Sequence, residues 1–144
     1  MSDITTSWQT WAILAAFFAA ATAIFAKIGV TDINSNFATL IRTVVVVVGL
    51  TLLIVKTGEY QPLNTLSGKT ILFLILSGLA TGASWLCYFK ALQIGQAAQV
   101  APVDKLSVVF VAVLGALFLG ESLSIAAWFG VAMIAAGAIL VATN

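Results

Sequence analysis

Three charged residues lie inside stretches of sequence that are otherwise apolar. They are Arg42, Asp104 and Lys105. A charge at the centre of a bilayer costs about 2.5 to 3.5 kcal/mol on insertion scales, so such residues face a protein interior or a watery cavity. We therefore predict that these three side chains line a pathway for a substrate or an ion.

Each of these charges needs a partner. Asp104 and Lys105 follow Pro102, which lacks a backbone donor and loosens a helix. Alternatively, Pro102 simply ends a connection, because proline is tolerated in a first turn. Consecutive helical residues point about 100° apart, so Asp104 and Lys105 are not expected to pair with each other. We expect Asp104 to face Arg42 or Lys27, and Lys105 to face water or an anionic group.

Further candidates for the pathway lie near the ends of apolar stretches. They are Lys27, Lys90, Trp85 and Tyr88. Lysines at such positions also extend their ammonium groups to the lipid headgroups, and aromatic rings also sit at membrane interfaces. Both alternatives stay open. For Glu121 we expect a structural role, in which its carboxylate accepts free backbone amides at the start of a helix.

The residue inventory argues against an enzyme. The chain has no histidine, and Cys87 is its one cysteine. Zinc sites, cysteine–histidine nucleophile pairs and intramolecular disulfides are therefore excluded. There are no paired carboxylates at a shared depth for acid–base catalysis. We expect no metal and no cofactor.

Composition indicates an all-α integral membrane protein. The 144 residues are 62% hydrophobic and 8% charged, with a mean hydropathy of +1.15, whereas soluble domains carry about 25% charged residues. A net charge of +1 gives no sign of a nucleic-acid partner. The bilayer is the expected surrounding, and we predict one domain over residues 1–144.

Apolar windows long enough to cross a bilayer number five. The predicted helices are 8–28, 37–55, 70–89, 100–119 and 123–142. We interpret the first as a retained helix, because residues 1–7 contain no lysine or arginine and the apolar run is too long for a signal peptide. Ser35 or Asn36 is the expected cap of the second helix, and residues 90–99 are the predicted connection after the third.

Glycines on the predicted helices indicate close helix packing. Those concerned are Gly78, Gly82, Gly130 and Gly137. In lipid, small residues let helix backbones approach and gain van der Waals contact.

Five crossings place the charges on two faces of the membrane. On the face of the amino terminus, side A, are Lys56, Glu59, Lys69 and Glu121. On the opposite face, side B, are Lys27, Asp32, Arg42, Lys90, Asp104 and Lys105. The positive-inside rule favours side B as cytoplasmic. Without Arg42 and Lys105, which lie inside helices, the count is balanced, so insertion in both orientations stays open.

Four short runs resemble the EamA domain of the drug/metabolite transporter superfamily. They are residues 88–92 (YFKAL), 100–103 (VAPV), 117–121 (LFLGE) and 133–137 (MIAAG), the last preceded by Gly130. Members usually have ten helices in two inverted five-helix repeats, and this chain is similar to one repeat. The resemblance implies a multi-pass transporter of the plasma or inner membrane, for a small metabolite or amphipathic solute.

A single repeat cannot enclose a cavity that lies between two repeats, so the resemblance also implies a homodimer, either antiparallel or parallel. The superfamily includes small multidrug resistance proteins that use a glutamate on helix one. The first helix here has no acidic residue, so their drug/proton exchange does not transfer. The alternative is a non-transporting subunit or a lipid-flippase component that acts with a partner chain.

Overall fold

The computed structural model describes residues 7–143, which are helical with no β-strand among them. The helices are α1 (Trp8–Gly29), α2 (Ser35–Thr57), α3 (Gly68–Ile94), α4 (Ala97–Asp104), α5 (Ser107–Leu114) and α6 (Ile125–Thr143). A 3-10 turn, Leu63–Thr65, lies between α2 and α3, and a π-helical turn, Gly115–Leu119, follows α5.

The predicted spans are confirmed. In the described part of the chain, five helical stretches are long and apolar enough to cross a membrane. They are α1, α2, α3, the stretch Ala97–Leu119 and α6. The fourth span is interrupted at Lys105 and Leu106, between α4 and α5, where the sequence already placed two charges.

The predicted cap of α2 was wrong by one or two residues. Asn34 is the N-cap, and its side-chain oxygen accepts hydrogen bonds from the backbone amides of Asn36 at 2.9 Å and Phe37 at 3.4 Å. Asn34 has the extended backbone conformation that N-caps adopt. Ser35 lies inside the helix and is buried.

The predicted connection at residues 90–99 was also wrong, because α3 continues to Ile94 and α4 begins at Ala97. Glutamine is a good helix former, and Gln93 and Gln99 lie inside helices. Only Gly95 and Gln96 lie outside helical structure here.

The chain forms two compact units. One comprises residues 26–93, and its core lies where α1 ends, α2 begins and α3 ends. The buried residues there are Ala26, Val30, Ser35, Ala38, Thr39, Phe89 and Leu92. Leu92 and Val30 are its most completely buried side chains. Away from this end, the large apolar side chains of α2 and α3 are exposed.

The other unit contains residues 7–25 and 94–143 of the described chain. Within it, α6 packs against α4 and α5, and Ala23, Gly115 and Ala138 are buried. In both units most large apolar side chains face outwards. Such exposure is expected where lipid, instead of water, is the solvent.

The fourth span ends on a glycine in the left-handed conformation. Gly120 has φ 68°, and its amide and that of Glu121 both donate to the carbonyl oxygen of Gly115. Gly58 ends α2 in the same way, with φ 71° and a 2.9 Å bond from its amide to Ile54 O. A glycine avoids the steric cost of this backbone region.

The glycines predicted to allow close helix packing have no near neighbours in the described structure. A Cβ atom added at Gly78, Gly82, Gly130 or Gly137 would meet no described atom within 4 Å. Close packing at these positions stays a prediction.

Candidate functional site

Arg42 lies at the inner margin of the core of the 26–93 unit. The buried residues Ser35, Ala38 and Thr39 recur at helical spacing along one face of α2, and Arg42 is the next position on that face. At 1.5 Å per residue, it is about 10 Å from the start of the helix. Beyond Thr43 every residue of α2 is exposed. Arg42 therefore lies at the boundary between the packed part of α2 and its exposed part.

Two aromatic rings of α3 hold the guanidinium group. The central carbon of the Arg42 guanidinium is 4.3 Å from the centre of the Trp85 ring and 5.4 Å from that of Phe89. Both distances lie within the roughly 6 Å range of cation–π attraction. Trp85 and Phe89 are four residues apart, so they share one face of α3.

These rings do not neutralise the charge. A cation–π contact contributes about 0.5 to 2 kcal/mol, while a charge near mid-bilayer costs about 2.5 to 3.5 kcal/mol. Within the 26–93 unit, no carboxylate forms an ion pair with Arg42 and no side-chain or backbone oxygen accepts a hydrogen bond from it. Its N–H donors are therefore available to a ligand.

The end of α3 is tied to the other helices of the same unit by two side chains. Lys27 Nζ donates a 2.7 Å hydrogen bond to the carbonyl oxygen of Leu92, one of the last-turn carbonyls that have no partner inside the helix. Gln93 Nε2 donates to the carbonyl oxygen of Ile33 at 2.9 Å. These bonds fix the ends of α1, α2 and α3, and thus the level at which Arg42 meets Trp85.

The remaining predicted residues of this unit lie close by. Lys90 Nζ donates to Gln93 Oε1 at 3.1 Å, and Tyr88 is half-buried and within electrostatic range of Arg42. The structure thus brings Arg42, Trp85 and Tyr88 together, with Lys27 and Lys90 at the adjoining end of α3. A role of these residues in transport stays a prediction.

Phe89 and Gln93 were not among the predicted pathway residues. The four-residue spacing from Trp85 to Phe89 was the available signal, because it places two rings on one face at the depth of Arg42. Gln93 gave no such signal, since it was assigned to a connection.

The expectation that Asp104 and Lys105 would not pair was wrong. Lys105 Nζ lies 3.2 Å from Asp104 Oδ2. The helix ends at Asp104, and the lysine stem is long enough to cover the 100° between neighbouring positions. The side chain of Asp104 is 34% exposed and that of Lys105 is 56% exposed. The predicted pairing of Asp104 with Arg42 or Lys27 stays a prediction.

Pro102 does not end a connection, which was one of its two predicted roles. It lies inside α4, in the second turn, because that helix begins at Ala97 and not at residue 100. Pro102 offers no N–H to the carbonyl of Ala98. Its position two residues before the end of α4 agrees with the other predicted role, which was to loosen the helix.

The predicted role of Glu121 was also wrong. The first residue of α6 is Ile125, and the amide of Ala127 donates to Ser124 Oγ at 3.2 Å, so Ser124 is the residue whose side chain caps this end. The Glu121 carboxylate instead lies against Gly115, where an added Cβ would come within 2.8 Å of Oε2. Because of the π turn and the left-handed Gly120, the Glu121 side chain lies against the end of the fourth span and not at the start of α6.

No group of three or more His, Cys, Asp and Glu side chains within residues 7–143 is arranged to hold a metal ion. Among the described residues, the structure brings one cation, Arg42, together with aromatic rings, and one acid, Asp104, together with one base, Lys105. Groups of these kinds are chemically able to bind a polar solute.

Five apolar spans with charges at membrane depth define a multi-pass α-helical membrane protein. The model of the EamA-like transporter family matches residues 6–143, so the chain belongs to that family. It is 61% identical over 136 residues to a protein of Sinorhizobium sp. described as an "Uncharacterized transporter in cobO 3'region". That match covers 94% of this chain and 96% of the relative. No solved structure matches the chain.

Proposed function

We propose that the protein transports a small metabolite or amphipathic solute across the plasma or inner membrane, working as a homodimer. The observation that carries the proposal is family membership along nearly the whole chain. The relative described as a transporter is itself covered to 96% by the match, so it too has about the length of one five-helix repeat.

The arrangement of Arg42 supports this function over a purely structural one. A residue kept only for packing would have its donors satisfied, whereas within the 26–93 unit this guanidinium makes cation–π contacts and no hydrogen bond or ion pair. Ionisable residues left in this state within a membrane are those that meet substrates or ions.

Two copies related by a two-fold axis in the membrane plane would form the inverted pair in which transporters place their substrate sites. Alternating access is then a rocking of one copy against the other. The nearly balanced lysine count on the two faces supports insertion in both orientations, which such a pair requires.

The test is to purify the chain alone, reconstitute it in liposomes, and measure both crosslinked species and uptake of a panel of labelled metabolites. A crosslinked dimer with saturable uptake of a panel member supports the proposal. A monomer without uptake overturns it. If activity then appears only when another protein is added, the chain is a non-transporting subunit or a flippase component. This is the alternative function that a single five-helix repeat favours.

A further inference from the structure

The cluster formed by Arg42, Trp85 and Phe89 has the chemistry of an anion site. We infer that it binds the carboxylate of the transported solute, which makes the substrate an organic monocarboxylate or a zwitterion carrying one. This inference rests on the proposed transport function and specifies its substrate.

The geometry of the guanidinium favours a flat oxyanion. The ring of Trp85 lies 4.3 Å from the guanidinium carbon, and Phe89 adds a second ring at 5.4 Å. Within the 26–93 unit no oxygen atom accepts a hydrogen bond from the guanidinium N–H groups. Pairs of N–H groups on that edge match the two oxygens of a carboxylate in a bidentate contact.

Charge favours a carboxylate over a phosphate ester. Arg42 carries one positive charge at all relevant pH values, and no carboxylate within the 26–93 unit pairs with it. A carboxylate brings one negative charge and leaves the site neutral. A phosphate monoester dianion would leave a net negative charge at membrane depth, where unpaired charge is disfavoured.

The site is accessible along α2 and α3. Arg42 and Trp85 are both half-exposed, whereas Phe89 is 4% exposed. From Val44 onwards α2 is exposed, and so is the part of α3 before Gly82 apart from the half-buried Ile71. In a single copy this exposed side would meet lipid; in the proposed dimer it faces the cavity between the two copies, from which a solute reaches Arg42, while Phe89 and the core close the other side.

Fluorescence of Trp85 provides a direct test. Trp8, Trp11 and Trp128 are replaced by phenylalanine so that Trp85 is the one remaining tryptophan, and the chain is placed in nanodiscs of phosphatidylcholine. Benzoate is titrated at neutral pH, with benzamide as its neutral counterpart and phenyl phosphate, a monoester that is mainly a dianion there, as a second anion. We expect a saturable change with benzoate and none with benzamide or phenyl phosphate.

The variant Arg42→Gln should weaken the benzoate response at least about tenfold, as expected for loss of a charge-assisted contact. Arg42→Lys should retain part of it, because the charge remains but the bidentate edge is lost. Lys56→Gln removes a positive charge from the last turn of the same helix, away from the rings, and should leave the response unchanged. Circular dichroism checks that each variant remains helical.

Three results would overturn the inference: no saturable benzoate response, an equal response in Arg42→Gln, or a response to phenyl phosphate alone. Nanodiscs containing the anionic lipid phosphatidylglycerol test whether a lipid is the ligand. If Trp85 fluorescence changes with this lipid and not with benzoate, Arg42 binds lipid headgroups. The fluorescence experiment measures binding and not transport, so failure of the binding site can be distinguished from failure of the transport function. Uptake without benzoate binding overturns the site alone, and benzoate binding without uptake of any solute overturns the transport function.

Discussion

The ammonium group of Lys105 lies 3.2 Å from the carboxylate of Asp104, although the two residues are neighbours in sequence at the end of α4. The pair is at the interruption between α4 and α5, two residues after Pro102. Interrupted helices provide backbone and side-chain groups for ions and substrates in many transporters. An acid and a base that neutralise each other there can remain at membrane depth and still exchange partners.

Asp104→Asn is therefore expected to insert and fold normally but to lose transport in proteoliposomes. The double variant Asp104→Asn with Lys105→Gln distinguishes a working carboxylate from a structural pair. If the pair only balances charge, removing both charges restores transport, and the coupling between the two substitutions reports this directly. We expect no restoration. Full activity of Asp104→Asn alone would show that the carboxylate has no role in the pathway.

The number of spans and the residues at membrane depth followed from the sequence because both depend on composition. Lipid requires about 20 apolar residues per crossing, so the windows located the helices, and Arg42 was conspicuous as a charge among them. Contacts were harder to predict. The Arg42–Trp85 contact depends on how α2 and α3 pack, and no local sequence pattern predicts this packing.

The boundary errors had local causes. Asn34 displaced Ser35 as a cap because several capping residues stand in a row, and only the backbone conformation selects among them. The π turn at Gly115–Leu119 has no periodicity signal of its own. Glu121 was assigned to the following helix since a sequence does not show how far such a turn redirects the chain.

Arg42→Ala is expected to leave insertion intact and to reduce transport at least about tenfold, because it removes the one charged group held by Trp85 and Phe89. Uptake rates in proteoliposomes at equal protein content measure the effect. Glu59→Gln, a loss of charge just beyond the same helix and outside the cluster, serves as the matched variant and should transport normally, because acidic residues contribute little to orientation. Equal loss in both variants would point to overall charge instead of the site.

Gly120→Ala is expected to destabilise the protein by about 1 to 2 kcal/mol, the cost of placing a side chain in the left-handed region. Gly78→Ala is the comparison, since its backbone is helical and an added Cβ meets open space. Alanine should stabilise that position slightly. Thermal unfolding in detergent, followed by circular dichroism, should therefore move in opposite directions for the two variants. A shift of the same sign in both would contradict the assigned cap.

Lys27→Met is expected to lower stability by about 1 to 3 kcal/mol, because it leaves the carbonyl of the fully buried Leu92 without this donor. Methionine keeps the length of the apolar stem. Lys69→Met, at the exposed start of α3, is the matched substitution and should have little effect. If Lys27 serves only to reach the lipid headgroups, the two variants will unfold at the same temperature.

The orientation of the chain should respond to a single added charge. Lys105 is paired with Asp104, and Arg42 is held by rings inside a span, so neither is free to act as a topological signal. That leaves Lys27 and Lys90 against Lys56 and Lys69, an even count. Since lysines near the ends of spans set orientation, we expect reporter fusions to the carboxyl terminus to show both orientations.

Two matched substitutions test this balance. Thr31→Lys adds a charge to the turn between α1 and α2, and Thr65→Lys adds one to the connection between α2 and α3; both threonines are exposed. The first should direct the α1–α2 turn to the cytoplasm, and the second should direct the α2–α3 connection there, so the reporter signals shift in opposite senses. If both variants keep one orientation, the chain inserts in a fixed direction. Its homodimer would then be parallel, because an inverted pair needs copies of both orientations.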